Sequence, residues 1–160
     1  MRGTLSCAQQ GEGKDMTTVN LSKTNQVAYR QVLELDGQVS EALADAGVDE
    51  KLVELVKVRV SQLNGCAYCL RLHTRGALEK GESTDRLAVV AAWWESQYFS
   101  ATDRAALGLA EEVTKMSVPE RSDWDDGSLT PEQISAISWL AIVTGVWNRI
   151  AVRSHYPVAP

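Results

Sequence analysis

Residues 54–73 read ELVKVRVSQLNGCAYCLRLH and span the end of one predicted helix and the start of the next. The first helix begins near Asp49, and its apolar residues recur every three or four positions, the spacing of a helix packed along one face. Asn64-Gly65 interrupts this pattern, as a Gly at a helix end does. The second helix is predicted to start at the cysteines and to end near Lys80-Gly81, again with a Gly at its end.

Capping residues predict four more helices outside this stretch. They begin at Thr24 or Asn25, at Ser83 to Asp85, at Ser100 to Asp103 and at Thr130. The last of them combines an N-cap with Pro131 at the first helical position and a capping-box Gln133, and it should run to about Val152. Six helices with short connections and no alternating apolar run predict a single all-α domain, with its C-x-x-C pair at the N-terminus of a central helix.

Two expectations concern burial. The run LAVVAAWW at 87–94 is apolar on every side, which favours a buried helix, and Met116 is expected in the core. Four tryptophans lie on apolar helices and are expected in the core or at a subunit interface, not in a ligand site: Trp93, Trp94, Trp139 and Trp147.

Residues 1–15 show no period and offer little to bury, so they are predicted to be a disordered tail. The folded domain is then 16–160, with Met16 as a candidate start. Cys7 lies in this tail with nothing beside it that would activate a thiol, and no role is expected for it.

Composition excludes several classes of protein. The 160 residues include 16 Lys+Arg and 21 Asp+Glu, a net charge of −5, which argues against a nucleic-acid binder. No uninterrupted apolar run reaches the roughly 18 residues of a membrane helix, and the first 15 residues lack the apolar stretch of a signal peptide. Three cysteines are too few for a secreted disulfide scaffold. We therefore expect a soluble, cytoplasmic protein in which a C-x-x-C serves redox or metal chemistry.

The two cysteines of that motif share a helix face with a histidine. At about 100° per residue, Cys66, Cys69 and His73 fall within about 60° of one another. The free N–H groups and the dipole at the start of a helix favour a thiolate over a thiol. Glu54 would lie off this face on a continuous helix, but a chain reversal at Asn64-Gly65 would let it face His73. A carboxylate there would hold the imidazole in one tautomer, so that it can take a proton from a thiol.

A structural zinc site is the competing interpretation of the C-x-x-C, but it needs a fourth ligand and the only other histidine is His155. No cofactor and no metal are therefore expected. Tyr68, between the cysteines, is expected to pack beside the site. Arg59 and Arg71 are expected to form salt bridges on helix surfaces.

The run E-L-V-x-x-R-V-x-Q-L-N-G-C-x-Y-C-x-x-x-H resembles the core motif of the AhpD-like alkylhydroperoxidases, in the carboxymuconolactone decarboxylase superfamily. The resemblance implies an all-α fold, a homo-oligomer built on trimers (a trimer or hexamer), and reduction of a peroxide substrate at the expense of an external thiol or dithiol. It also implies that Cys69 is the peroxidatic cysteine, Cys66 the resolving one, and Glu54 and His73 the proton relay. Where family members carry a second histidine just before the peroxidatic cysteine, this chain has Tyr68.

Two alternatives stay open within the same superfamily. One is a redox-sensing or structural protein whose C-x-x-C forms a disulfide without useful peroxide turnover. The other is a carboxymuconolactone decarboxylase-type enzyme, which ranks last because the resemblance implies that such members do not depend on a C-x-x-C pair.

Overall fold

The structure is a computed structural model that describes residues 18–117 and 123–160. Within these ranges the chain is all-α, as predicted, and contains no strand. The elements are α1 (Leu21–Thr24), α2 (Gln26–Asp45), α3 (Glu50–Leu63), α4 (Ala67–Glu79), α5 (Thr84–Val89), a 3-10 helix (Val90–Glu95), α6 (Ala101–Lys115) and α7 (Pro131–Arg153). The predicted tail over residues 1–15, with Cys7, and the candidate start at Met16 lie outside the described residues.

The predicted helix starts are confirmed at their caps. Asn25 begins α2 and Asp49 begins α3, each accepting hydrogen bonds from backbone N–H groups of the first turn. Capping boxes join Ser100 to Asp103 at α6 and Thr130 to Gln133 at α7. The start of a helix depends on its own few residues, which is why a single sequence predicts these positions well.

Helices α3 and α7 form the centre of the fold. α3 packs against α4, α6 and α7, and its Leu55, Val56 and Val60 are completely buried. α7 also contacts α2 and α6 and buries Ile137 and Val143 in full. The central position of α3 matters for the site, because α3 carries Glu54 on a rigid, buried element.

The predicted buried helix after Ser83 is wrong, because the chain breaks there into α5 and the 3-10 helix. Ala92 leaves the helical region (φ −129°, ψ 38°), and Val90 is the only buried residue in the two elements. The guanidinium of Arg104 on α6 binds three backbone carbonyls at the C-terminal end of the 3-10 helix and so satisfies acceptors that a helix end leaves free. They belong to Trp93, Trp94 and Ser96, at 3.2, 2.6 and 2.8 Å.

The expected core position of Met116 is also wrong. Met116 caps the C-terminus of α6 in the left-handed conformation (φ 52°), and it is 86% exposed. Its backbone has already left the helix, so the side chain no longer follows the apolar face of α6. Among the tryptophans, Trp93 and Trp147 are partly buried, whereas Trp94 and Trp139 are about half exposed.

Helix α7 is long and apolar enough to cross a membrane by length and composition, with a mean hydropathy of 1.3 over its most apolar window. Half of that window is buried inside the fold. The core helix of a soluble protein passes the same test, so length and composition alone do not make α7 a membrane helix.

Candidate active site

The turn between α3 and α4 sets the position of the cysteines. Gly65 adopts a positive φ of 66°, which a residue without Cβ tolerates, and the Cys66 N–H donates to the Ser61 carbonyl at 3.0 Å. Asn148 on α7 holds the same turn, because its amide accepts from Asn64 (2.9 Å) and donates to the Ser61 hydroxyl (3.0 Å). Asn148 and Ser61 are fully buried, so α7 anchors the turn through satisfied polar contacts.

Cys66 and Cys69 are joined by a disulfide at the N-terminus of α4. Cys66 is the N-cap of this helix, and its Sγ accepts a hydrogen bond from the Cys69 N–H at 3.3 Å. The Cα atoms are 5.4 Å apart, and the two residues are only 1% and 3% exposed. The predicted position of the pair at a helix start is therefore confirmed.

Glu54 and His73 face each other across the α3–α4 hairpin. The Nδ1 atom of His73 lies 3.1 Å from Oε2 of Glu54, so the contact that a chain reversal at Asn64-Gly65 predicts is present. In the neutral imidazole, an Nδ1–H that donates to the carboxylate leaves the lone pair on Nε2. His73 thus has one nitrogen fixed by a partner and one available to accept a proton.

The Glu54 carboxylate is buried but well compensated. The ammonium groups of Lys80 and Lys57 approach its Oε1 at 3.0 and 3.4 Å. Burial opposes the charge, but the hydrogen bond from His73 and these two ammonium groups together lower the pKa of Glu54 to about 2. Glu54 is therefore a permanent anion at neutral pH.

The sequence reasoning missed the residues that support Glu54, although their spacing contained a signal. Lys57 is three residues after Glu54 on α3, a spacing that places two side chains together on a helix. Lys80 is seven residues after His73 and so falls on the same face. Gly76 lies between them, and a Cβ there would come within 3.2 Å of the carboxylate. Its small size lets Glu54 reach His73.

A cavity of about 250 Å³ opens beside Cys69 and His73. Its apolar wall includes Leu33 of α2, Leu72 of α4 and Trp147 of α7. Trp147 packs against the hydrophobic core, as predicted, and also lines this cavity. A cysteine and a histidine held by a carboxylate therefore both line a concave, mostly apolar space.

Three tyrosines line the same cavity: Tyr29, Tyr68 and Tyr156. Tyr68 packs edge-to-face against Tyr156 with ring centroids 5.1 Å apart, which agrees with its expected packing beside the site. Tyr29 lies edge-to-face on Trp147 at 5.3 Å. Tyr156 follows the last helix, and no spacing in the sequence connects it to the cysteines.

Other candidate residues lie outside this cavity. Arg59 is buried and pairs with Glu111 at 2.8 Å, and Arg71 donates to the Ala159 carbonyl at 2.8 Å. His155 lines a separate small cavity next to Cys66. Within residues 18–117 and 123–160, no group of three His, Cys, Asp or Glu side chains is arranged to hold a metal ion.

A helical hairpin with a buried C-x-x-C disulfide at its turn and a Glu–His pair across it defines a class of all-α thiol–disulfide proteins. Residues 27–112, just over half of the chain, match the carboxymuconolactone decarboxylase family, and the chain belongs to that family.

Relatives in two bacteria are similar to this chain. YdfG of Bacillus subtilis is 35% identical over 108 residues, which cover 62% of this chain and 70% of YdfG. YnjA of Escherichia coli is 34% identical over 64 residues, or 40% of this chain and 35% of YnjA. Both relatives are uncharacterized proteins.

A solved structure from Agrobacterium tumefaciens has a similar fold, with a TM-score of 0.73 and 29% identity. The similarity covers 89% of this chain and 99% of that chain. That protein is of unknown function and has been proposed to be the antioxidant defence protein AhpD. The AhpD-like resemblance of residues 54–73 is thereby confirmed at the level of family and fold.

Proposed function

We propose that this protein is a cytoplasmic thiol peroxidase that reduces organic hydroperoxides or hydrogen peroxide through Cys69 and Cys66. The observation that carries the proposal is the shared cavity of Cys69 and His73, with His73 held by a permanently charged Glu54. A thiol, a base and a group that orients the base are the parts of an activated nucleophile.

The reaction begins from the reduced cysteines. His73 accepts the thiol proton of Cys69 at Nε2, and the thiolate sulfur attacks the terminal oxygen of the hydroperoxide. An S–O bond forms, the O–O bond breaks, and the leaving alkoxide takes the proton from the His73 imidazolium. Cys69 is thereby oxidised to a sulfenic acid that keeps one peroxide oxygen, and the other oxygen leaves in the alcohol. The sulfenic oxygen is released as water in the next step.

Cys66 completes the cycle. Its thiol loses its proton, the thiolate attacks the sulfenic sulfur of Cys69 to form the disulfide, and the sulfenic hydroxyl leaves with that proton as water. An external thiol or dithiol then reduces the disulfide, and its own sulfur is oxidised in exchange. Because Cys66 is the N-cap of α4, the helix N-terminus stabilises its thiolate both as attacking group and as leaving group.

Peroxide consumption in the presence of a small dithiol tests the proposal. We expect turnover by the wild type and by Cys7→Ser, a matched control outside the motif, and none by Cys69→Ser. Consumption by Cys69→Ser at the wild-type rate would overturn the assignment of the attacking sulfur.

The second candidate function is a redox sensor, which is favoured by the burial of both sulfurs in the disulfide. A sensor forms the disulfide once with peroxide and is reduced too slowly to turn over. Consumption of one equivalent of peroxide per protein chain, with no further steady-state consumption of peroxide, would support this candidate.

A homo-oligomer is proposed on the basis of exposed apolar side chains, and its size, a trimer or hexamer, on the basis of the AhpD-like resemblance. Trp139 and Ile142 on α7 and Trp94 after α5 are 48%, 43% and 50% exposed, which is unusual for large apolar residues. Light scattering should give the mass of three or six chains, and the mass of one chain would refute this part.

A further inference from the structure

Three phenols meet in the Cys69 cavity although they come from distant parts of the chain. Tyr29 belongs to α2, Tyr68 to the first turn of α4, and Tyr156 to the segment after α7. The Tyr156 N–H donates to the Ala151 carbonyl at 3.1 Å, and the preceding His155 has a positive φ of 50°, so the chain turns Tyr156 back over the cysteines. The relay of Glu54 and His73 leaves these phenols unused.

The phenols of Tyr29 and Tyr156 line the same cavity and interact there. Burial and the neighbouring phenol of Tyr156 raise the pKa of Tyr29, which favours the neutral phenol that can donate a hydrogen bond. If Tyr29 donates to the Tyr156 oxygen, the O–H of Tyr156 remains for another acceptor. The ring of Trp147 packs against Tyr29 and the ring of Tyr68 packs against Tyr156, which holds the two phenols in the wall of the cavity.

We propose that Tyr156, oriented by Tyr29, is the hydrogen-bond donor that binds the oxygens of an organic hydroperoxide in front of Cys69. The inference rests on the proposed peroxidase function and names the residues that bind its substrate. The organic group would lie against Leu33, Leu72 and Trp147, since these line the rest of the cavity. A volume of about 250 Å³ is slightly below the range of sites for drug-sized ligands and suits a small hydroperoxide.

The phenols bind and orient the substrate, and they transfer no proton in this scheme. Tyr156 donates a hydrogen bond to the oxygen that becomes the alkoxide, where negative charge develops as the O–O bond breaks. The proton itself comes from the His73 imidazolium, as in the cycle above, so the step is balanced without a phenolate.

The test compares reduced wild type with Tyr156→Phe and Tyr29→Phe in rapid mixing with cumene hydroperoxide, followed by tryptophan fluorescence. Loss of a hydrogen bond to an oxygen that gains negative charge predicts a rate constant about tenfold to a hundredfold lower for Tyr156→Phe. A smaller decrease is expected for Tyr29→Phe, which removes only the orienting bond. Tyr98→Phe is the matched control, because Tyr98 is 54% exposed and is not among the residues that line this cavity.

Alkylation of Cys69 by iodoacetamide distinguishes a loss of hydroperoxide binding from a general change in the structure around Cys69, because this reagent has no peroxide oxygens. The proposal predicts an unchanged alkylation rate in both cavity variants. The proposal would be overturned if both variants reacted with cumene hydroperoxide at the wild-type rate. It would also be overturned if their alkylation rates fell by the same factor as their peroxide rates. If the wild type reacts with neither cumene hydroperoxide nor hydrogen peroxide, the proposed function itself fails, and the role of Tyr156 fails with it.

Discussion

Glu54→Gln replaces a buried carboxylate by an amide of nearly the same shape. The wild-type carboxylate contacts His73, Lys57 and Lys80 at 3.1, 3.4 and 3.0 Å. The amide has no charge to compensate the two ammonium groups, and its oxygen is a weaker acceptor for the imidazole. The substitution should therefore lower both stability and peroxide turnover without changing the fold.

The pKa of Glu54 gives the size of the effect on stability. Its value of about 2 lies below the ordinary 4.5, and the difference corresponds to roughly 3 kcal/mol. A carboxylate with a lowered pKa stabilises the folded state above pH 4.5, and this contribution is lost as the pH falls from 4.5 toward 2. The free energy of unfolding of the wild type should thus approach that of Glu54→Gln in acid.

Urea unfolding at a series of pH values measures this difference. At neutral pH the wild type should be more stable than Glu54→Gln by roughly 3 kcal/mol, and the gap should narrow below pH 4.5 and close near pH 2. Glu41→Gln, on the exposed surface of α2, is the matched control and should show a difference under about 0.5 kcal/mol. A gap that is the same at pH 7 and pH 3 would refute the idea that Glu54 is held as an anion by its partners.

Three further predictions concern the same hairpin. Gly76→Ala places a Cβ 3.2 Å from the Glu54 carboxylate and should lower the free energy of unfolding in urea by about 1–3 kcal/mol. The control Gly37→Ala has open space at its Cβ and should be neutral or stabilising. Equal effects of the two substitutions would contradict the role of Gly76. Asn148→Ala leaves Asn64 and Ser61 without their partner and should cost about 1–3 kcal/mol, which an unchanged urea midpoint would disprove. His73→Gln should lower the peroxide rate constant by about 10²- to 10⁴-fold, and a decrease of less than about threefold would exclude His73 as the base.

Sequence rules succeeded where a feature depends on residues close together in the chain. The caps at Asp49 and Thr130 are formed by residues within the first turn of each helix. The reversal at Asn64-Gly65 needed only a Gly in the left-handed region, and the contact between Glu54 and His73 follows from it. For this reason the central part of the site could be predicted from 20 residues.

The remaining features depend on contacts between distant residues. Arg104 binds the end of the 3-10 helix from another element, and no local signal indicates that it would bind those carbonyls. Tyr29 and Tyr156 are 127 positions apart, and only the packing of α2 against α7 brings them to one cavity. Their identity as cavity residues could not be predicted, because an apolar helix face and a cavity wall have the same residue types.

The central claim is that Cys69, beside His73, is the sulfur that attacks the peroxide, although Cys66 occupies the N-cap of α4. The most direct measurement is mass spectrometry of Cys66→Ser and Cys69→Ser, each reduced, mixed with one equivalent of hydroperoxide and trapped with a dimedone-type reagent. The claim predicts a sulfenic acid adduct on Cys69 in Cys66→Ser and little or none on Cys66 in Cys69→Ser. A faster adduct on Cys66 would contradict it and would assign the attacking thiolate to the helix N-cap.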